Sequence, residues 1–192
     1  MPDQPLEIAV PDAAAADDGG LMSAITDLIN DVYVVGERGL WVEGARRTNV
    51  DEVREMTRAG EFVLARSGAA LAGCVRAHPL AAELSELGML AAAPKHRGTG
   101  VGRRLVEFVE RRSLDAGRAT MQLELMVPRE WPHPSKVFLA SWYGRMGYRR
   151  VRTGRVEGTY PHLAPLLATP CDLEVYRKDL RTLTTGRYDG QD

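Results

Sequence analysis

The segment PKHRGTGVGRRL, residues 94–105, constrains the fold more than any other part of the chain. Three glycines alternate with other residues between Gly98 and Gly102, after an apolar strand pattern and directly before a helical pattern. Glycines let backbone amides approach a ligand closely, and the N-terminus of a helix attracts anions. These residues therefore predict a phosphate-binding turn between a strand and a helix, with a plain tight turn as the alternative.

Two common phosphate-binding loops do not fit this segment. A Walker loop ends in Gly-Lys-Ser/Thr, whereas Gly102 is followed by Arg103 and Arg104. A dinucleotide fingerprint needs GxGxxG and an acidic residue after the next strand, but here the third glycine comes one residue early and residues 121–123 are Met-Gln-Leu. Basic residues are unfavourable at a helix start, so Arg103 and Arg104 predict that a bound anion faces them.

Hydrophobic periodicity predicts the order of the elements on both sides of this loop. The order is strand, helix, helix, three strands, helix, strand, helix and two strands, from Leu6–Val10 to CDLEVYRKDL at residues 171–180. Such an order predicts a mixed α/β fold. We expect one domain over residues 1–180 and a flexible tail over residues 181–192.

Composition excludes several functional classes. The formal net charge is −1, so no overall positive field attracts nucleic acid. Cys74 and Cys171 lie far apart, and no CxxC or histidine pair has the spacing of metal ligands. No apolar run suits a membrane span, and the N-terminus lacks the pattern of a secretory signal. We therefore expect a cytoplasmic protein without a metal, a membrane anchor or a nucleic-acid partner.

Two motifs resemble the GNAT superfamily of acetyltransferases. RGTGVG, residues 97–102, is similar to the family's (Q/R)xxGx(G/A) acyl-CoA signature, and it follows the strand GMLAAAP at the family's spacing. SWYGRMGYRR, residues 141–150, is similar to the YxxxGF end of a late family helix. The resemblance covers residues 6–180 and includes the order of the elements.

This resemblance implies a GNAT-like fold, in which a twisted mixed sheet of about six to seven strands is flanked by about four helices. The two central parallel strands would splay apart and hold acetyl-CoA, the co-substrate, between them. A bulge near residues 88–90 would aim an amide at the thioester carbonyl. The implied cofactor-binding residues are Leu90, Ala91, Ala92, Arg97, Gly98, Thr99, Gly100, Val101, Gly102, Arg103 and Lys136.

The resemblance also implies catalytic residues. Tyr143 occupies the position of the family's general acid, and a phenol stays protonated at neutral pH and can donate to a leaving thiolate. Glu86 matches the place of a base in several members, which acts directly or through water. Glu83 is the alternative, and a regular strand would place it on the opposite face. Lys136 stands where many members have asparagine, and it could contact the cofactor or cap the loop.

Acceptor choice in the family lies between the first two helices and the late loops. Trp41 with Glu37 or Glu43 could receive an amine, because an aromatic ring and a carboxylate both attract a cation. Arg46 and Arg47 could equally bind a carboxylate. The sequence leaves both possibilities open.

The late loop WPHPSK adds Trp131 and His133, which either line the acceptor mouth or belong to a stiff surface loop. The expected activity is transfer of an acetyl group from acetyl-CoA to a primary amine of a small molecule, amino acid or peptide, by direct attack in a ternary complex. The alternative is a non-catalytic acyl-CoA-binding module of the same fold. A homodimer is plausible by analogy with the superfamily.

Overall fold

A seven-stranded sheet in the order β1-β2-β3-β4-β5-β7-β6 organises the chain in this computed structural model, which describes residues 5–185. The strands are β1 (Leu6–Ala9), β2 (Phe62–Ser67), β3 (Ala70–Ala81), β4 (Leu84–Ala92), β5 (Thr120–Pro128), β6 (Arg149–Arg155) and β7 (Cys171–Asp179). The α-helices are α1 (Gly19–Gly36), α2 (Val50–Arg58), α3 (Val101–Asp115), α4 (Pro134–Arg145), α5 (Val156–Thr159) and α6 (Thr182–Thr185). Short 3-10 turns cover Ala13–Asp17, Pro94–His96 and Pro161–Leu166.

The mixed α/β class and the order of the main elements are confirmed. Strand β3 continues to Ala81, beyond the expected end at Ala77, because Ala77, His78, Pro79 and Ala81 pair with the start of β4. The short helices α5 and α6 were not expected. Helix α6 lies inside the segment expected to be a flexible tail, whose residues 186–192 lie outside the described part of the chain.

Alternation along the strands directs apolar side chains into a separate core on each face of the sheet. In β2, Val63 and Ala65 pack in the core that also contains the inner face of α3. Phe62 and Leu64 point the other way, into the core beneath α1 and α2. This follows from the two-residue repeat of a strand, and it leaves α1 and α2 on one face with α3 and α4 on the other.

The central parallel strands separate after a short contact, which confirms the expected splay. Strands β4 and β5 pair only through Leu84 with Thr120, Ser85 with Met121, and Glu86 with Gln122. Strand β4 then runs on to Ala92 while β5 keeps β7 as its other neighbour. The backbone groups of β4 that face β5 beyond Glu86 therefore have no ladder partner among the described strands.

A bulge in β4 lies at the start of this splay. Its register to β3 shifts between the pairs Arg76–Gly88 and Cys74–Ala91, so that Met89 and Leu90 oppose a single β3 residue. Met89 has a φ of 49°, a left-handed conformation that is rare outside glycine. The structure thus has the bulge that was expected near residues 88–90, and it turns the strand at the point where β5 leaves.

Gly73 in β3 allows α3 to pack closely behind the end of β4. A Cβ atom at this position would lie 2.8 Å from the Ala91 carbonyl oxygen and 2.9 Å from Val101 Cγ1. Any larger residue would push the first turn of α3 away from the sheet. The sequence contained no signal for this contact, because the partners of Gly73 are distant in the chain.

Candidate active site

The glycine loop presents the N-terminus of α3 beside the free edge of β4. Gly98 and Gly100 have φ values of 81° and 85°, so both positions need the freedom of glycine. Gly100 is the N-cap of α3, and no side chain caps the helix. The first-turn amides have no helical acceptors, and they form a concentration of positive potential at the open end of the splay.

The two arginines after Gly102 have different partners. The Arg103 guanidinium is half exposed and lies 3.7 Å from Glu107 one turn along the helix. Arg104 instead donates to the Leu6 carbonyl oxygen at 3.0 Å and so ties α3 to β1. The expectation that both arginines face a bound anion therefore has to be revised for Arg104, which has a structural partner.

Tyr143 on α4 lies in the core on the α3 side of the sheet and is only 4% exposed. Its ring packs edge-on against Trp142, at 4.7 Å between centroids, and against Tyr148, at 5.5 Å. No described residue forms a hydrogen bond with its hydroxyl group. Burial raises the pKa of Tyr143 well above its ordinary value, so the phenol keeps its proton throughout the neutral range.

A buried charged network supports the ring of Tyr143 from behind. The Tyr148 hydroxyl donates to Glu110 Oε1 at 2.8 Å, and Lys178 Nζ donates to Glu110 Oε2 at 2.7 Å. Glu110 is fully buried on α3. Since Tyr148 follows α4 directly, the network fixes the end of α4 relative to α3. A phenylalanine at position 148, as in the YxxxGF pattern, would lack this bond.

Glu86 lies on the opposite face of the sheet, where β4 and β5 begin to diverge. Gln122 Nε2 donates to Glu86 Oε2 at 2.9 Å, and Arg177 Nε donates to Gln122 Oε1 at 2.9 Å. Burial raises the pKa of Glu86, and the nearby Glu124 carboxylate adds to the rise, against the lowering effect of the Gln122 hydrogen bond. The alternative base, Glu83, is exposed in the turn before β4.

Several polar residues around Glu86 were not singled out from the sequence. The Tyr160 hydroxyl donates to Glu124 Oε2 at 2.7 Å. Tyr33 lies beneath the Arg47 guanidinium, 5.3 Å from ring centroid to the guanidinium carbon, and burial raises the pKa of Tyr33 to about 12. The alternation in MQLELMV would have indicated Gln122 and Glu124, since both interrupt a buried strand every second residue.

The residues expected to select the acceptor line one cavity of about 280 Å³ between α1 and the segment of residues 37–47. Glu37, Trp41, Glu43, Arg46 and Arg47 all contribute to its wall. Trp41 also forms an isolated antiparallel bridge with Leu167, which connects this segment to the loop before β7. The structure therefore brings together residues that the sequence could only propose as a group.

Glu37, which belongs to the wall of this cavity, forms a buried ion pair with Lys136. Lys136 Nζ donates to Glu37 Oε1 at 2.5 Å, and Trp41 Nε1 donates to Glu37 Oε2 at 2.6 Å. The exposed fractions of the two charged side chains are 6% and 9%. The Glu37 carboxylate, expected to receive an amine, is thus already neutralised, and the Lys136 ammonium, expected at the cofactor, is already engaged.

His133 connects the loop before α4 to the same segment. Its Nδ1 accepts a hydrogen bond from the Ser135 amide at 3.2 Å, which leaves Nε2 to donate to the Arg38 carbonyl oxygen at 3.2 Å. His133 is buried, whereas Trp131, whose ring centroid lies 5.2 Å away, is 38% exposed. His133 therefore anchors the loop, and Trp131 is the member of the pair that faces solvent.

Among residues 5–185, no group of three or more histidine, cysteine, aspartate or glutamate side chains is arranged to hold a metal ion. None of the helices in this part of the chain combines the length and the apolar character that crossing a membrane would require.

Comparisons with known proteins agree with this geometry. Residues 58–150 match the family model of the acetyltransferase (GNAT) domain. An aminoglycoside 6'-N-acetyltransferase solved with coenzyme A has a TM-score of 0.66 at 17% identity, over 91% of this chain and 97% of that one. An aminoglycoside 6'-acetyltransferase type Ii has a TM-score of 0.62 at 21% identity, and the match covers 91% of this chain and 97% of that one.

N-acetylglutamate synthase from Neisseria gonorrhoeae, solved with coenzyme A and N-acetyl-glutamate, has a TM-score of 0.60 at 15% identity, over 91% of this chain and 35% of that one. A search of curated protein sequences found no match. At such identities the structural likeness shows the fold, and the family model adds the sequence evidence from β2 to β6. Residues 58–150 therefore belong to an acetyltransferase domain of the GNAT family.

Proposed function

We propose that this protein transfers the acetyl group of acetyl-CoA to a primary amine of a small molecule, by direct attack in a ternary complex. The observation that carries the proposal is the short contact of β4 with β5, which ends at Glu86 and Gln122. Glu86 is the last residue of β4 that pairs with β5, and Tyr143 lies in the core on the other face of the sheet. We propose that a proton donor, Tyr143, and a proton acceptor, Glu86, act from the two sides of this opening in the sheet.

The residues around this opening fit the two polar parts of acetyl-CoA. The unpaired backbone of β4 at Leu90 and Ala92 would pair with the amides of the pantetheine arm, as an added strand would. The amides of residues 98–102 would bind the pyrophosphate, because the N-terminus of α3 has no capping side chain. The bulge at Met89 would direct an amide toward the thioester oxygen.

Acyl transfer needs an acceptor for the amine proton and a donor for the leaving sulfur. Acetyl-CoA supplies the activated acetyl thioester. Glu86 would accept a proton from the attacking amine, directly or through water, since burial raises its pKa toward a useful range. Tyr143 would donate its proton to the sulfur as the carbon–sulfur bond breaks, since the hydroxyl is protonated and unengaged by the described residues.

Binding and turnover measured together test this proposal. Saturating acetyl-CoA, at about a hundred times its dissociation constant, should raise the free energy of unfolding by about 2.7 kcal/mol. A screen of amines, amino acids and peptides should then release free thiol. Stabilisation without thiol release from any acceptor would favour the non-catalytic acyl-CoA-binding module, and neither effect would contradict the proposal altogether.

Arg103→Ala should weaken coenzyme A binding by about three- to tenfold, because an exposed arginine beside phosphates contributes about 1 kcal/mol. The loss should shrink at high salt. Calorimetric titration of coenzyme A measures both effects. Arg111→Ala, an exposed arginine farther along α3, is the matched control.

Arg104→Ala should behave differently from Arg103→Ala. It removes the hydrogen bond to Leu6, so it should lower the free energy of unfolding by up to about 1 kcal/mol and leave coenzyme A affinity unchanged. If Arg104→Ala weakens coenzyme A binding as much as Arg103→Ala does, the bond to Leu6 is not the role of Arg104.

Glu86→Gln should change the pH dependence of kcat/KM as well as its size. A base acts when deprotonated, and the pKa of Glu86 is raised, so wild-type activity should fall as the pH drops through that raised value. In a plot of log kcat/KM against pH, protonation of the amine gives a slope of about one, and protonation of Glu86 should add a further slope of about one at low pH. Glu86→Gln should keep only the slope of the amine.

The matched control for Glu86→Gln is Glu83→Gln, which changes an exposed carboxylate three residues earlier. It should keep the wild-type profile. A wild-type slope that persists in Glu86→Gln would remove Glu86 from the mechanism.

A further inference from the structure

The cavity between α1 and residues 37–47 is unbalanced in charge. Arg38, Arg46 and Arg47 all belong to its wall, and all three residues are exposed, so an anion could reach them. No carboxylate of the described residues forms an ion pair with any of them. Unpaired arginines grouped around one cavity attract an anion, and arginine prefers planar, bidentate partners such as a carboxylate.

The acidic residues of the same wall do not offset this charge. Glu37 is already bonded to Lys136 at 2.5 Å and to the Trp41 indole at 2.6 Å, so its charge is neutralised within the protein. Glu43 is exposed and forms no ion pair with a described residue. Because the charge of Glu37 is balanced by Lys136, this carboxylate attracts an external ammonium group only weakly, and the wall keeps a net positive charge.

The backbone at Arg47 is held in place before any ligand binds. Asn30 Oδ1 on α1 accepts a hydrogen bond from the Arg47 amide at 2.8 Å, and Asn30 Nδ2 donates to the Thr48 carbonyl oxygen at 3.0 Å. Asn30 is only 7% exposed. The Arg47 guanidinium in turn lies over the Tyr33 ring. A preorganised guanidinium of this kind loses little entropy when it binds an anion.

Arg47 also connects the cavity to the proposed base. Burial raises the pKa values of Glu86 and Tyr160, and the positive charge of Arg47 acts against that rise in both groups. Glu86 is the last residue of β4 that pairs with β5, and Tyr160 bonds to Glu124 on β5. On that side the carboxylates of Glu86 and Glu124 would attract an ammonium group. An acceptor that spans the two regions would place its amine near Glu86 and its anionic group at the arginines.

We infer that the acceptor is a small amine that also carries a carboxylate, as a free amino acid does, and that Arg47 is the residue that binds this carboxylate. The inference rests on the proposed acetyl transfer and specifies its substrate class. The volume of about 280 Å³ lies at the small end of ligand pockets, which favours a molecule of amino-acid size.

Matched acceptors test the inference directly. A thiol-release assay with acetyl-CoA as the donor compares three kinds of acceptor. These are standard L-amino acids, their carboxamides, and short peptides with the same first residue. The free acid should exceed its carboxamide in kcat/KM by about tenfold or more, the effect of one charge-assisted bond. Intrinsic reactivity acts against this result, because the amine of a carboxamide loses its proton more easily.

The arginine variants assign the effect to a residue. Arg47→Gln should lower kcat/KM for the amino acid by about tenfold or more and for the carboxamide by less than about twofold. Arg111→Gln, on the outer surface of α3, should change neither value. Coenzyme A affinity is measured for each protein, so that a defect in the cofactor site is seen separately.

Three results would overturn the inference in a protein that binds acetyl-CoA. These are equal or better turnover of carboxamides or peptides, an unchanged preference in Arg47→Gln, and a lack of thiol release with every carboxylate-bearing acceptor. Failure to bind acetyl-CoA would instead contradict the proposed function, and the binding measurement identifies that case.

Discussion

Tyr143→Phe is expected to lower the turnover number at least tenfold, and by as much as about 10²–10⁴, the range typical of general acid catalysis. The physical reason is that the substitution removes one hydroxyl and keeps the ring. The edge-on contacts with Trp142 and Tyr148 and the burial in the core should persist. The affinity for coenzyme A should therefore change by less than about twofold, since the ring contacts persist and the lost hydroxyl has no hydrogen bond to a described residue.

Single-turnover kinetics and calorimetric titration of coenzyme A measure the two quantities separately. Tyr176→Phe is the matched control, since it also removes a tyrosine hydroxyl from the core, one that bonds to Glu174 at 2.7 Å. The Tyr176→Phe variant should keep the wild-type turnover number. Unchanged turnover in Tyr143→Phe would reject Tyr143 as the acid, and weakened coenzyme A binding would assign it to the cofactor site instead.

Lys136→Met is expected to lower the free energy of unfolding by about 3–5 kcal/mol, the cost of leaving one charge of a buried pair uncompensated. Glu37 would retain only the Trp41 bond, because its other oxygen is bonded to Lys136. The double variant Lys136→Met with Glu37→Gln removes both charges and should recover much of the loss. Urea unfolding of the wild type, the two single variants and the double variant gives the coupling energy between Lys136 and Glu37.

A surface ion pair provides the comparison for this double-mutant cycle of Lys136 and Glu37. Arg58 and Asp17 lie 2.7 Å apart but are 53% and 73% exposed, so Arg58→Met should cost less than about 1 kcal/mol. Similar losses in Lys136→Met and Arg58→Met would show that the buried pair contributes no more than a surface one. A double variant that is as unstable as Lys136→Met would show that Glu37 does not depend on this lysine.

Local patterns were sufficient for the main helices and strands and for the glycine loop. Leu105, Val106 and Val109 repeat at helical spacing and lie on the buried face of α3, as that spacing predicts. Gly98 and Gly100 lie in the turn between strand and helix that the sequence predicted, and both have the left-handed conformation that glycine adopts readily. These features depend on interactions between residues that are close in the chain, so a single sequence contains them.

Partnerships between distant residues were not predictable in this way. Glu37 and Lys136 are separated by 99 positions, and Arg104 and Leu6 by 98. Each of these charged residues had an equally reasonable ligand-binding role in the sequence. The structure favours the structural roles, because a buried carboxylate whose charge is already balanced by an ammonium group attracts an external cation only weakly.

The sequence by itself determined the order of the main elements and the position of the glycine-rich helix start, and its resemblance to a family made Tyr143 and Glu86 the candidate acid and base. Only the tertiary structure decided that Glu86 lies where β4 and β5 part while Tyr143 is buried on the other face of the sheet, and that Arg38, Arg46 and Arg47 line one cavity without an ion pair among the described residues. The physical reason is the distance along the chain over which each kind of interaction acts. Backbone periodicity and turn chemistry act over a few residues, whereas the charge of a cavity depends on which side chains the packed fold has already paired.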